Sequence, residues 1–183
     1  MKKYILGLLG LALIGGMISC EPNNPYNTGP VYDFEGNLKK DSVKIAEYLE
    51  VAEIDSLYRI HDPSGVVIIV QEEGEGSRPN NGNVIYTNYV GMLTDDTVFD
   101  TNIQSVAEDS GLHEEGDVYR PYQFTLGSST GAIQGFTYGF RRLRSGSKAV
   151  LVIPSPYAYQ DREQERIPAN SVLVFEVDFL GMD

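Results

Sequence analysis

The sequence contains no tryptophan and only one cysteine, Cys20, among its 183 residues. A lone cysteine cannot form an intramolecular disulfide, so the fold must rest on its apolar core rather than on covalent cross-links. The chain has 12 tyrosines and 7 phenylalanines, and we therefore expect a core of aliphatic, tyrosine and phenylalanine side chains. The length is typical of one domain with short appendages.

Basic residues are also scarce. The chain has 14 lysines and arginines against 26 aspartates and glutamates, which gives a net charge of -12. Because binding to a phosphate backbone requires a basic face, this balance argues against nucleic acid as a partner. We interpret the acidity mainly as a contribution to solubility.

The usual catalytic groups are few. The two histidines, His61 and His113, are far apart in the sequence, and the GSSTG segment at 127–131 lacks the Lys-Ser/Thr pair of a phosphate loop. The carboxylates between residues 95 and 100 lack the spacing and the closing glutamate of a calcium loop. The sequence therefore predicts no cofactor and no metal, and any catalysis would proceed without a strong nucleophile.

The first twenty residues form a separate segment. A short basic start, MKKY, is followed by the apolar run ILGLLGLALI and then by GGMIS before Cys20. This order is similar to a bacterial lipobox, in which the cysteine thiol receives the lipid; the alternative is an ordinary signal peptide followed by a chance cysteine. We predict a lipoprotein signal peptide over residues 1–19 and membrane attachment through lipid on Cys20. Glu21 favours the outer membrane, with the domain in the periplasm or at the cell surface.

Two segments precede the predicted domain. Residues 20–37 are rich in Pro, Asn and Gly without periodicity and predict a tether. Residues 38–62 predict a helical extension, with a helix over Leu38–Ile54 that packs on the domain or acts as a spacer; a dimerisation helix is the alternative. The helix is expected to be capped by Asp41 or Ser42, and its apolar stripe consists of Ile45, Leu49 and Ala52.

From residue 63 to residue 183 the pattern changes to short strands and one short helix. The helix is predicted over Phe136–Leu143, and the acidic stretch Thr101–Arg120 is too long for an ordinary loop, being either a solvated insertion or an element of substrate selection. This combination predicts an α+β fold with a curved antiparallel sheet around the helix. Strands are predicted at 66–71, 83–93, 122–126 and 149–153, and at the C-terminus, where Leu173, Phe175, Val177 and Phe179 alternate with Val174, Glu176 and Asp178.

Aromatic residues are concentrated at predicted strand ends and loop edges. Each of them is explained more simply as core, but together they indicate an apolar concave site. Asp100 and the Tyr159 hydroxyl would be its polar groups. The aromatic set is Tyr89, Phe99, Tyr122, Phe136, Tyr157, Tyr159 and Phe175.

Several blocks of sequence resemble one family. NYVGML, VFD, PYQFTLG, AIQGF, GSKAVLVIP, PYAY and IPANSVLVFEVDFL follow the order found in FKBP-type peptidyl-prolyl isomerases, the macrolide-binding class. The resemblance extends from Ser64 to Met182, and the preceding helix resembles the layout of lipid-anchored bacterial members. It implies an antiparallel half-barrel wrapped around one helix, with the active site between them, and proline-containing polypeptides and macrolides as ligands.

The resemblance also implies roles for individual residues. The pocket carboxylate falls on Asp100, the pocket tyrosine on Tyr159, and the backbone N–H that holds a substrate carbonyl on Ile133, with Ala132 beside it. The pocket aromatics fall on Tyr89, Phe99, Tyr122 and Phe175, the aromatic floor on Phe136, and the apolar wall on Ile167.

The chain departs from the family pattern at several positions. Phe136 stands where the family usually has tryptophan, which implies weakened macrolide binding. Asp95-Asp96 replaces an Asp-Gly turn, Gln160 replaces a glycine, and one residue is added near 128–131. We expect an isomerase that assists the folding of exported proteins. The alternatives are a non-catalytic binding or chaperone module of the same fold, and a structural lipoprotein with a vestigial pocket.

Overall fold

The computed structural model describes residues 31–183, in which seven antiparallel strands form one curved sheet around a short helix. The predicted signal peptide, Cys20 and the first part of the predicted tether lie outside the described residues. The helices are α1 (Phe34–Val51), α2 (Gln104–Asp109) and α3 (Gln134–Phe140). The strands are β1 (Tyr58–His61), β2 (Val67–Glu72), β3 (Val84–Met92), β4 (Val98–Thr101), β5 (Tyr122–Thr125), β6 (Lys148–Ile153) and β7 (Leu173–Met182).

The strand order is β1-β2-β6-β7-β3-β4, and β5 also pairs with β3. The sheet therefore begins at Tyr58, ahead of residue 63, where the sequence places the start of the domain. β4 and β5 lie along the same edge of β3, because β4 pairs with Val90–Met92 and β5 pairs with Val84–Thr87. The segment that connects β4 to β5 thus starts and finishes beside the same edge of β3.

The concave face of the sheet holds the main core. The alternation predicted for β7 is confirmed there, since Leu173, Phe175, Val177 and Phe179 are all at most 5% exposed. α3 ends at Phe140 rather than at the predicted Leu143, which is buried in the turn that follows.

Two glycines let α3 lie directly on the sheet. A Cβ at Gly135 would stand 2.3 Å from Ile153 Cγ2, and one at Gly139 would stand 2.6 Å from Leu151 Cδ1. Any larger side chain at either position would push the helix away from β6. The absence of these side chains sets the distance between α3 and the sheet. It thereby also sets the position of the cavity at the N-terminus of α3.

α1 begins earlier than the sequence predicts. Asp33 caps it by accepting a hydrogen bond from the Gly36 N–H at 2.9 Å, and residues 34–37 are helical instead of forming the end of the tether. The expected cap at Asp41 or Ser42 is wrong. The physical reason is that Asp41 is 1% exposed and directs its carboxylate to Ser155.

α1 covers the convex face of the sheet. Ile45 packs in a second core cluster with alternate residues of β2, β6 and β7, including Val174. Val174 is 1% exposed, although the strand pattern places it on the half-exposed side with Glu176 and Asp178. α1 therefore packs on its own chain, as the favoured interpretation of its apolar stripe expects.

The stretch from Thr101 to Arg120 is more regular than the sequence suggests. It contains α2, whose Ala107 is 2% exposed and accepts backbone hydrogen bonds from Leu112 and His113. Within residues 31–183, none of the helices has the length and apolar character needed to cross a membrane.

Candidate functional site

A small aromatic pocket lies between the N-terminus of α3 and the concave face of the sheet. Its volume is about 80 Å³. Ile167, predicted as an apolar wall, does not line this cavity but is 6% exposed in the surrounding core cluster. Tyr157, which belongs to the predicted aromatic set, does not line it either and lies at the neighbouring larger groove. The pocket is lined by Tyr89, Phe99, Asp100, Tyr122, Gly131, Ala132, Ile133, Phe136, Tyr159 and Phe175, which include every other residue to which the resemblance assigns a role.

Phe136 forms the floor of the pocket. It projects from the first turn of α3, is 3% exposed, and meets the Phe175 ring edge to face at a centroid distance of 4.8 Å. The rings of Tyr89 and Tyr122 stand at 6.3 and 6.4 Å from it, also edge to face. Such perpendicular contacts favour a fixed arrangement of rings, so the floor is rigid and apolar.

Asp100 is the only carboxylate among the pocket-lining residues and is held by a neighbouring tyrosine. The Tyr89 hydroxyl donates to Asp100 Oδ2 at 2.6 Å. Burial, together with this carboxylate, raises the pKa of Tyr89 well above its usual range. Tyr89 is therefore a neutral donor at physiological pH, and the Asp100 charge stays at the rim of an otherwise apolar cavity.

The other two pocket tyrosines are neutral for a related reason. Burial raises the pKa of Tyr159, with a smaller contribution from the Asp100 charge. Burial likewise raises the pKa of Tyr122, whose hydroxyl donates to the Gly131 carbonyl. That bond holds the segment leading into α3 against β5. The three pocket tyrosines thus contribute neutral hydroxyl groups.

Two donors of the pocket are not engaged. Among the hydrogen bonds found within residues 31–183, none uses the Ile133 N–H or the Tyr159 hydroxyl. Ile133 is the N-cap residue of α3 (φ -63°, ψ 152°), and a helix supplies no carbonyl acceptor for the N–H groups at its N-terminus. These two groups are available to hold carbonyl oxygens of a bound peptide.

Gly91 supports the pocket, a role that the sequence reasoning missed. A Cβ at this position would stand 2.7 Å from the Phe99 ring and 2.8 Å from the Phe175 ring. The available signal was a glycine at an inward-facing position of a strand, which often marks a close approach of neighbouring groups.

Asn102 was also missed, and it fills the gap between β4 and β5 along β3. Its Oδ1 accepts the Tyr89 N–H at 2.7 Å, and its Nδ2 donates to the carbonyls of Thr87 at 3.2 Å and Arg120 at 2.9 Å. It thereby fixes Tyr89 and joins both ends of the 101–120 segment beside the pocket. No local sequence pattern identifies these long-range bonds.

Two residues that replace glycines of the family pattern retain the backbone conformation typical of glycine. Asp96, in the turn before Phe99, has φ 66°, and Gln160, directly after Tyr159, has φ 59°. Both are left-handed conformations that glycine adopts at lower cost. The turns on either side of the pocket are therefore formed without glycine.

Within the described part of the chain, no group of three or more His, Cys, Asp or Glu residues is arranged to hold a metal ion. The side chains that line the pocket offer apolar contact, neutral hydroxyl donors and one carboxylate.

Comparisons with known proteins point to one family. The profile described as "FKBP-type peptidyl-prolyl cis-trans isomerase" matches residues 75–180. The chain is 31% identical over 147 residues to the FKBP-type peptidyl-prolyl cis-trans isomerase FkpA of Aeromonas hydrophila, a match covering 80% of this chain and 43% of that protein. It is 32% identical over 121 residues to the peptidyl-prolyl cis-trans isomerase Fkbp12 of Drosophila melanogaster, covering 65% of this chain and 99% of that protein.

A solved structure agrees with these matches. The crystal structure of FkpA from Escherichia coli superposes with a TM-score of 0.58 at 28% identity, covering 81% of this chain and 64% of that one. The predicted α+β fold, a curved antiparallel sheet around a short helix, is confirmed. The chain spans less than half the length of the Aeromonas relative that it matches.

Proposed function

The chain belongs to the family of FKBP-type peptidyl-prolyl cis-trans isomerases, and we propose that it isomerises Xaa-Pro bonds of exported polypeptides in the aromatic pocket. The observation that carries this proposal is the pair of unengaged donors, the Ile133 N–H and the Tyr159 hydroxyl, beside the rigid floor of Phe136. Slow prolyl isomerisation limits the folding of many chains, and an isomerase removes that delay.

The reaction needs no nucleophile and no proton transfer. Rotation about the amide bond is opposed by a barrier of about 18–20 kcal/mol, which comes mostly from lost resonance. An apolar pocket that excludes water favours the twisted amide, because the twisted form is less polar than the planar one. Catalysis then consists of binding the twisted amide more tightly than either planar isomer.

Each polar group has a role in this scheme. The Ile133 N–H and the Tyr159 hydroxyl hold the carbonyls that flank the proline, while the proline ring rests on Phe136. Asp100, oriented by Tyr89, acts electrostatically beside the rotating amide. The aromatic rings of Phe99 and Phe175 close the sides of the cavity.

Replacing Ile133 with proline tests the backbone donor directly. The substitution removes the N–H but suits the observed φ of -63°, and that N–H makes no hydrogen bond within residues 31–183. We expect kcat/KM for a short Xaa-Pro peptide to fall about tenfold relative to the matched Ile133→Ala variant, as for the loss of one transition-state hydrogen bond. Equal rates in the two variants would remove Ile133 from the mechanism.

Asp100 is tested in the same assay, with the chain expressed without residues 1–20. Asp100→Ala is expected to lower kcat/KM about tenfold, since a charged hydrogen-bond partner is lost from the site. Asp109→Ala, at an exposed carboxylate of α2, is the control and should leave the rate unchanged. An unmodified chain that does not accelerate isomerisation above background would sink the enzyme proposal.

The second candidate is a binding or chaperone module of the same fold. The small volume of the pocket and the phenylalanine floor favour it, because both reduce the contact area offered to a ligand. Peptide binding with no acceleration of isomerisation would select this alternative. The same features are consistent with weakened macrolide binding, and Phe136→Trp is expected to strengthen it.

The cellular location is proposed from the sequence. We infer an envelope lipoprotein, anchored by lipid on Cys20 in the outer membrane, with the domain in the periplasm or at the cell surface. Metabolic labelling with palmitate should be lost in Cys20→Ser, and unchanged labelling would exclude the anchor.

A further inference from the structure

A second, larger groove adjoins the aromatic pocket. Its volume is about 610 Å³, and it shares Gly131, Ala132, Ile133 and Tyr159 with the pocket. A polypeptide whose proline occupies the pocket therefore has a continuous surface on which its next residues can lie. The groove is bounded on one side by α3 and on the other by the residues from Pro156 to Arg162.

One face of α3 leads from the pocket along the groove. Gln134, Thr137, Tyr138 and Arg141 line it at a helical spacing of i, i+3, i+4 and i+7. Arg141 follows Ile133 by about 12 Å along the helix axis at 1.5 Å per residue. An extended chain covers that distance in about three or four residues.

The charged side chains that line the groove are both arginines, Arg141 and Arg162. This is unexpected in a chain whose net charge is -12. Asp161 and Glu163 flank Arg162 in the sequence but do not line the groove. The groove is therefore a local cationic site on an acidic protein.

Neither groove arginine forms an ion pair within residues 31–183, whereas two neighbouring arginines do. Arg142 pairs with Asp62 at 2.6 Å, and Arg144 approaches Glu73 at 3.5 Å. Arg141 instead donates to the neutral Asn81 amide oxygen at 2.7 Å, which orients its guanidinium and leaves its charge uncompensated. Arg162 donates only to the Tyr159 carbonyl at 3.4 Å.

We propose that this groove selects polypeptides with an acidic side chain about three or four residues from the proline, through Arg141 and Arg162. The inference rests on the proposed function, because the proline must occupy the adjoining pocket. A carboxylate in the groove accepts hydrogen bonds from guanidinium groups, while the acidic remainder of the surface disfavours such chains elsewhere. The groove thus determines specificity rather than rate.

The test uses nine-residue peptides with a single central Xaa-Pro bond. Glu, Gln or Lys is placed three residues before or three residues after the proline, and the isomerisation rate is followed by NMR exchange. We expect kcat/KM for the Glu peptide to exceed that for the Gln peptide by about two- to fivefold at one of the two positions, as for one or two exposed ion pairs. The Lys peptide should be slower than the Gln peptide.

Three variants assign the preference to the groove. R141Q and R162Q should each reduce the Glu-to-Gln ratio towards one. R59Q, at an exposed position on β1, makes the same change in net charge and should keep the ratio. The ratio in the unmodified chain should also shrink between about 0.05 M and about 0.5 M salt, because exposed charges are screened.

The outcomes separate this proposal from the enzyme proposal. Isomerisation of the Gln peptide with no preference for Glu would overturn the acidic specificity and leave the activity intact. If no peptide is isomerised, isothermal titration calorimetry with the same peptides tests whether the groove prefers the Glu peptide in binding affinity. A Glu preference in affinity that R141Q abolishes supports the groove, and equal affinities reject it.

Discussion

At the scale of single residues, the pocket depends as much on missing atoms as on side chains. Gly91 on β3 leaves the space into which the rings of Phe99 and Phe175 fit, edge to face at 5.6 Å. Asp96 and Gln160, in contrast, carry side chains at positions where the backbone has the left-handed conformation that glycine adopts most easily. Adding a side chain at Gly91 should therefore destabilise the protein, whereas removing the side chain of Gln160 should stabilise it.

Gly91→Ala should damage the pocket. The added methyl would stand 2.7 Å from the Phe99 ring, so rings must move in a packed core at a cost of about 1–3 kcal/mol. We expect a lower urea midpoint together with a raised KM for Xaa-Pro peptides. Gly181→Ala in β7, where nothing lies within 4 Å of an added Cβ, is the control and should neither lower the urea midpoint nor raise KM. A loss of stability without any change in KM would show that Gly91 does not shape the pocket.

Gln160→Gly should stabilise the protein. A glycine removes the steric cost of φ 59°, which is about 1–2 kcal/mol, although the unfolded chain gains up to about 1 kcal/mol of conformational freedom. The net expectation is a gain of up to about 1 kcal/mol in the free energy of unfolding. Gln160→Ala keeps the strain and should give no such gain, and a glycine variant that is no more stable than the alanine variant would contradict the strain.

At the scale of elements, α1 is attached to the segment that carries Tyr159. The buried Asp41 carboxylate accepts the Ser155 N–H at 2.8 Å and the Ser155 hydroxyl at 2.6 Å. Phe34 meets Tyr157 edge to face at 5.2 Å. The helix that precedes the sheet therefore helps to hold the turn leading to the pocket tyrosine.

Asp41→Ala should destabilise the chain by about 2–4 kcal/mol, because the Ser155 N–H and hydroxyl both lose the buried carboxylate that accepts from them. Asp41→Asn keeps one acceptor oxygen and should recover part of that loss. Urea denaturation measures both variants. If Asp41→Ala costs no more than Ser42→Ala, an exposed position one residue later, the attachment of α1 contributes nothing to stability.

The sequence predicts elements better than it predicts contacts between them. Alternation along β7 places Phe175 and Phe179 correctly because each strand's own period identifies its inner face. The same period cannot place Val174, whose burial depends on α1 docking on the convex face. The start of α1 was missed for a similar reason, since Asp41 resembles a cap locally and only its contact with Ser155 reveals another role.

In the candidate site too, the sequence predicts residues within a local block better than contacts between distant parts of the chain. Family motifs identify the aromatic rings and Asp100, because these residues lie in contiguous blocks of sequence. Asn102 and the groove arginines were not identified, because their roles depend on residues distant in the chain, such as Arg120 for Asn102 and Asn81 for Arg141.

At the scale of the whole molecule, the pocket tyrosines make the free energy of unfolding pH-dependent in the alkaline range. Tyr89 has a folded-state pKa raised above its ordinary value of 10.0, chiefly by burial and then by Asp100. Above about pH 10 the unfolded chain releases this proton while the folded chain retains it. The free energy of unfolding therefore falls as pH rises past 10.

Tyr89→Phe removes the contribution of Tyr89 to that dependence. Between pH 9 and pH 11 the variant should lose less stability than the unmodified chain, by under about 1.4 kcal/mol per pH unit because the tyrosine is partly exposed. Tyr86→Phe, at a hydroxyl that donates to Asp183 on the surface, should give a smaller difference. Parallel stability curves for the Tyr89→Phe variant and the unmodified chain in urea titrations would contradict the assignment.

The shared edge of β3 has a consequence for protein engineering. β4 ends and β5 begins on that edge, and Asn102 joins Tyr89 to Arg120 across the gap. The stretch between residues 103 and 119 therefore begins and ends at neighbouring points. A foreign domain grafted in place of α2 would thus inherit closely spaced attachment points beside the pocket. Recruitment of client chains by a grafted binding domain would then raise their local concentration at the site without any change to the sheet.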